Sequence, residues 1–231
     1  EAFVLTATLP TVDRALTVAP GEDKLYLLTP DALYHSDALA EDWEKVRITQ
    51  PSVLGEECEL ILATSAGDNA DAALLVSTNR GQILRTSLAN LSSWETVREG
   101  DVDERTITAL HQTTDGKIFV GTRGLGMLSS EDGGKTWRSQ NKGLTAARLF
   151  ALEVDNNSKM YLATDAGLFT ANPLLEGPLS WTELHDRSTT SLHLDRTTTW
   201  SGTAGGAIAI QQPGSSPDVQ SSLGEGPAPL Y

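Results

Sequence analysis

One pattern returns along almost the whole chain: an apolar run ending in Thr, a tight turn, a second apolar run, a loop of variable length, and a Trp. It can be followed through KLYLLTPDALYHSDALAEDW, ALLVSTNRGQILRTSLANLSSW, KIFVGTRGLGMLSSEDGGKTW, KMYLATDAGLFTANPLLEGPLSW and TTTWSGTAGGAIAI. The threonines are Thr29, Thr78, Thr122, Thr164 and Thr203, at spacings of 49, 44, 42 and 39 residues, and the tryptophans are Trp43, Trp94, Trp137 and Trp181. A period of this length built from short β segments implies a propeller or a solenoid, because a single unit cannot bury its own faces and must stack on its neighbours.

Each repeat reads as four short strands. An aliphatic strand comes first, as in LILATS, RLFALEV or TSLHLD, and a turn rich in Gly, Asp and Asn follows, as in TDGK and DNNSK. Such residues tolerate positive φ and hydrogen-bond their own backbone, so they reverse the chain tightly. The second strand ends on the marker Thr, a short turn leads to the third, and a longer loop leads to a fourth that starts at Trp. Stacked radially, five such units predict an all-β, five-bladed β-propeller of four-stranded antiparallel blades.

The fifth repeat lacks its Trp strand. AFVLTATL at the start of the chain has strong strand character, and the expectation is that it closes the last blade and covers an open edge. VQSSL near the end is the other candidate for that strand. Residues 1–212 are then the propeller, and residues 213–231 a Pro/Gly/Ser-rich tail.

Composition narrows the function classes. The net charge is −14, which disfavours nucleic acid and anionic membranes as partners. No apolar run reaches the length of a transmembrane helix. The single cysteine, Cys58, falls in an apolar strand and reads as a small core residue. The chain starts at Glu1 rather than Met, which reads as a processed form, a domain or a fragment. A trimmed secretory protein fits best, so an extracytoplasmic location is expected.

One motif is sharp. Ser130-Glu131-Asp132-Gly133-Gly134-Lys135-Thr136-Trp137 resembles the Asp-box, or bacterial neuraminidase repeat. The pattern fades to Ser36-Asp37 with Trp43, to Ser87 with Trp94, and to Trp181 alone. The repeats over about 14–210 resemble the sialidase-like propeller superfamily. In that superfamily the box is structural and lies away from the active face. The physical reading agrees: Ser130 and Asp132 bond backbone N–H groups of a hairpin, and Gly133 and Gly134 take conformations other residues avoid. Thr136 completes the turn, and Trp137 packs as an apolar wedge between blades.

The resemblance stops short of an activity. Sialidases of this fold use three arginines, a Tyr nucleophile with a Glu partner, an Asp acid and an Arg-Ile-Pro signature, and they have six blades. No Arg-Ile-Pro occurs here, and none of Tyr26, Tyr34, Tyr161 and Tyr231 stands beside a suitable Glu. His111 and His193 fall at comparable places in first strands, and two such residues make a poor metal site. The expectation is a protein with no catalytic residues, no cofactor and no metal.

Binding is expected where propellers usually bind, on the face that carries the turns between second and third strands and the connections between blades. The turns supply Asp31, Asn79, Arg80, Arg123, Asp165 and Ala204, and the connections supply Arg105 and Arg148. Arg80, Arg105, Arg123, Arg148 and Asp165 are the candidate partner-binding residues, the arginines suited to an anion or carboxylate. The chain also resembles photosystem II assembly factors of the same repeat class, which use an arginine-rich face but have seven blades. The function expected is a protein–protein interaction module of an extracytoplasmic complex. The alternatives are a carbohydrate-binding propeller and a degenerate glycoside hydrolase.

Overall fold

Strands form where β-branched and aliphatic residues run between Gly, Asp and Asn turns, and the repeat unit becomes a sheet of consecutive strands. The computed structural model describes residues 17–21, 24–29, 32–37, 42–48, 57–65, 71–99, 107–146, 148–155, 157–174, 179–194, 199–203 and 208–211. The first sheet is β1 (Thr17–Pro20), β2 (Lys24–Leu28), β3 (Leu33–Asp37) and β4 (Glu44–Val46). The second is β5 (Cys58–Ala63), β6 (Ala73–Thr78), β7 (Ile83–Ser87) and β8 (Asn90–Arg98). The third is β9 (Ile107–Gln112), β10 (Ile118–Thr122), β11 (Met127–Ser130) and β12 (Arg138–Ser139). The fourth is β13 (Leu149–Val154), β14 (Met160–Thr164), β15 (Gly167–Ala171) and β16 (Thr182–His185). Among the described residues β17 (Thr189–Leu194), β18 (Thr199–Thr203) and β19 (Ile208–Gln211) make a fifth sheet of three strands.

Within every sheet the spatial order follows the chain order, so each repeat is an up-and-down meander. Four sheets have four strands, and no helix occurs among the described residues. The architecture is all-β, of repeated antiparallel sheets of the β-propeller type. The segments AFVLTATL and VQSSL, the tail 213–231, and Asp31, Arg105 and Ala204 lie outside the described residues.

The chain divides into two compact units, residues 1–120 with 129–138 and residues 121–128 with 139–231. In the first unit the core joins the first two sheets. Tyr26, Leu28 and Leu33 pack with Cys58, Ile61, Leu74, Val76, Leu84 and Trp94. Trp94 is therefore a wedge between sheets, and burying each such side chain contributes about 1.5–3 kcal/mol. Trp43 instead covers Leu27, Ala32 and Tyr34 within its own sheet. In the second unit β14 and β15 are buried along their whole length, as strands covered on both faces must be. Trp181 joins that core and also donates through Nε1 to the Gln140 carbonyl at 2.8 Å.

Candidate interaction surface

Four of the five marker threonines turn out to be turn locks, and the turn after Thr203 lies outside the described residues. Thr122 Oγ1 donates to the Gly126 carbonyl at 2.8 Å and accepts the Leu125 N–H at 2.9 Å. Thr164 Oγ1 donates to Gly167 O at 2.8 Å and accepts from Ala166 N at 3.1 Å. Thr29 Oγ1 makes the same pair of contacts with Ala32, at 2.9 and 3.0 Å. Thr78 Oγ1 accepts the Gln82 N–H at 3.3 Å. All four are buried. At Thr29, Thr122 and Thr164 the buried hydroxyl satisfies both a carbonyl and an N–H, which fixes the turn between second and third strands from beneath. The tip above it is free to vary.

Three of these turns are also tied to the flanking connection. In the first unit, Asn79 N–H donates to Glu57 O at 2.9 Å, and Glu57 N–H donates to Asn79 Oδ1 at 3.3 Å. Arg98 Nη1 donates to the Gly81 carbonyl of the same turn. In the second unit, Asn141 Nδ2 donates to Leu125 O and Asn141 Oδ1 accepts from Met127 N, both at 2.7 Å. Gly126, at φ +75°, lies so close to the Asn141 amide that a Cβ would collide with it. Asp165 N–H donates to Arg148 O at 3.2 Å.

On these anchored turns the tips project. Arg80 is exposed in the first unit, and Arg123, Arg148 and Asp165 are exposed in the second. The second unit adds Lys142 and Arg187, both exposed, which the sequence did not single out. Among the described residues none of Arg80, Arg123, Lys142, Arg148 and Arg187 forms an ion pair. The anchoring partners Asn141 and Glu57 also escaped the sequence reading, because their contacts cross from connection to turn.

His185 borders the Arg187 connection. Its Nδ1 accepts the Arg187 N–H at 3.3 Å, so the neutral ring carries its proton on Nε2, which lies 3.5 Å from Ser201 Oγ. Burial, and then Arg187, push its pKa down, while Asp186 and Glu183 pull it up; the net shift is downward. His111 lies on β9 in the first unit, its pKa lowered by burial, and His193 lies on β17 in the second. Burial raises the Glu153 pKa, and nearby His193 opposes that rise. Among the described residues no group of three His, Cys, Asp or Glu converges as metal ligands, and no helix is long and apolar enough to cross a membrane. Burial raises the pKa of Tyr26, the opposite of what a phenolate nucleophile needs.

The Ser130–Trp137 hairpin belongs to the first unit. Ser130 Oγ donates to Asp132 Oδ1 and accepts the Gly134 N–H, both at 2.8 Å. Asp132 then accepts Thr136 N–H at 2.9 Å and Thr136 Oγ1–H at 2.6 Å. Gly133 and Gly134 have φ of +71° and +88°. Burial alone would raise the Asp132 pKa. Hydrogen bonds from Thr136, Ser130 and the Lys135 backbone outweigh that and hold it below the ordinary carboxylate value. The hairpin is docked on the second sheet: buried Arg85 donates through Nε to Gly133 O at 2.9 Å and through Nη1 to Glu95 Oε1 at 2.9 Å. Trp137 is half-buried and lies against Gly134, a less enclosed position than that of Trp94 or Trp181.

Anchored turns on repeated antiparallel sheets define a protein of the β-propeller type. No family model and no curated protein matches the chain. Solved structures share its fold. YCF48 bound to D1 peptide is 17% identical with a TM-score of 0.62, over 89% of this chain and 67% of that one. PorZ, an essential bacterial surface component of the type-IX secretion system of Porphyromonas gingivalis, is 13% identical with a TM-score of 0.58, over 86% of this chain and 32% of its own. The extracellular domain of the putative hybrid two component system BT4673 from B. thetaiotaomicron is 17% identical with a TM-score of 0.61, over 88% of this chain and 28% of its own. The chain thus spans about a third or less of the length of the last two.

Proposed function

We propose that this chain is a non-enzymatic interaction module of an extracytoplasmic complex, and that it docks another protein through the tips of its anchored turns. The observation that carries the reading is the contrast between buried, doubly bonded threonines and exposed arginines that form no ion pair among the described residues: Thr78, which accepts the N–H groups of both Arg80 and Gln82, with Arg80, and Thr122 with Arg123. Rigid presentation lowers the ordering cost of binding, and arginine suits carboxylate groups through its planar fork. In a chain of net charge −14, cations left without carboxylate partners among the described residues favour an acidic partner segment. The fold likeness to a peptide-bound protein, a surface component and an extracellular domain supports the same reading.

The test is affinity capture from the native source with wild type, Arg80→Glu and Arg123→Glu, each checked by circular dichroism. A captured protein that weakens with either reversal is expected. Capture unchanged by both, or turnover of a fluorogenic glycoside that survives repurification, would overturn the reading.

A further inference from the structure

The span from Ser87 to Trp94 in the second sheet has the same length and the same two ends as the span from Ser130 to Trp137. The structure gives both the same end contacts. Each Ser Oγ accepts the N–H two residues on, from Ala89 at 3.2 Å and from Asp132 at 3.4 Å. Both Trp Nε1 groups are buried with no hydrogen-bond partner among the described residues. Between the ends the chemistry differs, because Ala89 stands at the place of Asp132.

That replacement removes an acceptor. Asp132 takes the hydroxyl protons of both Ser130 and Thr136. In the second sheet the matching hydroxyls belong to Ser87 and Ser93, and neither donates to an acceptor among the described residues. The Nδ2 of Asn90 is likewise without an acceptor, while its Oδ1 accepts Ser92 N–H at 3.2 Å and Ser92 Oγ–H at 2.6 Å. The path of the turn also changes. Asn90 and Leu91 replace the two positive-φ glycines, and β8 bulges between Asn90 and Trp94. Thr86 Oγ1 holds the bulge, its one proton shared between Asn90 O at 2.9 Å and Ser93 O at 2.7 Å. The result is an open cavity of about 290 Å³ lined by Arg85, Thr86, Ser87, Asn90, Ser93 and Glu95.

The geometry points to this cavity as a carboxylate-binding site, filled by an Asp or Glu side chain of a partner segment in place of the acceptor that Asp132 supplies from within its own hairpin. The donors are the Ser87 and Ser93 hydroxyls and the Asn90 amide, beside the Arg85 guanidinium. Glu95 does not oppose this as an isolated charge, since Arg85 Nη1 is 2.9 Å from its Oε1. Pockets for drug-sized ligands run from roughly 300 to 1,000 Å³, so a cavity of this size takes a side chain rather than a folded surface. The site is separate from the turn tips and stands or falls independently of them.

The experiment is a titration of the ¹⁵N-labelled full chain with N-acetyl-aspartate methylamide, and in parallel with N-acetyl-lysine methylamide. Saturable shifts of the Ser87, Ala89 and Ser93 amides are expected with the aspartyl probe alone. Ser87→Ala/Ser93→Ala should abolish them while near-UV circular dichroism stays native. Ala89→Asp, which returns a carboxylate to the motif, should weaken the aspartyl probe at least about tenfold. Shifts retained in the double variant, shifts with the lysyl probe, or no shifts at all would overturn the assignment.

Discussion

Gly134→Ala probes the hairpin that joins the second and third repeats within the first unit. Gly134 sits at φ +88°, and a Cβ built there lies 3.0 and 3.2 Å from the two Leu75 methyls and 3.5 Å from Trp137 Cζ2. An L residue in the left-handed region costs about 1–2 kcal/mol. Leu75 is fully buried, so its methyls cannot swing aside, and an added methyl in a packed core costs about 1–3 kcal/mol more. The two add to roughly 2–5 kcal/mol, which for a chain of this length lowers Tm by about 4–20 °C. Urea denaturation followed by tryptophan fluorescence measures it. Leu75→Val should relieve part of the cost, so the double variant should be more stable than the sum of the singles by about 1 kcal/mol. A Gly134→Ala variant within about 0.5 kcal/mol of wild type would refute the packing argument, and strict additivity would refute the Leu75 contact.

Thr122→Val keeps the shape but deletes two hydrogen bonds beneath the Arg123 turn, and a loss of about 1–3 kcal/mol is expected in denaturant unfolding. Arg85→Met removes the charged donor to Gly133 O; about 1.5–3 kcal/mol should be lost, with the Glu95 ion pair adding little because Glu95 is largely exposed. Asp132 has a folded-state pKa below its unfolded one, so its contribution is fully present above the unfolded value and disappears as pH falls through the folded value. Asp132→Asn should therefore be less stable than wild type at neutral pH and show a shallower decline below about pH 4, measured as Tm against pH. Arg123→Glu should leave Tm essentially unchanged while reducing partner capture.

The repeat made the strands legible because a short aliphatic run between Gly and Asp turns, recurring along the chain, has few other folded outcomes. The meander order and the core place of Cys58 follow that pattern. The threonines were visible as markers, but their purpose needed coordinates: a hydroxyl that bonds three or four residues ahead looks like any other Thr in a string. Trp94, Trp137 and Trp181 share a sequence position yet differ in burial, since the neighbouring sheet decides how much of each ring is covered. Arg85 was illegible for the same reason. Its carbonyl partner is 48 residues away, and its strand pattern gave no hint of a buried guanidinium. Of the five arginine and aspartate candidates, four stand exposed on anchored turns or their connections, and Arg105 lies outside the described residues.

Photo-crosslinking tests the docking claim most directly. A crosslinking residue is placed at Arg80 or Arg123, with controls at Lys45 on β4 and Glu183 on β16, both exposed on outer strands. The proteins are returned to the native source and irradiated. One partner protein is expected to be trapped from the two turn positions and to be absent from the two outer-strand controls. Trapping from the outer strands with none from the turns would contradict it.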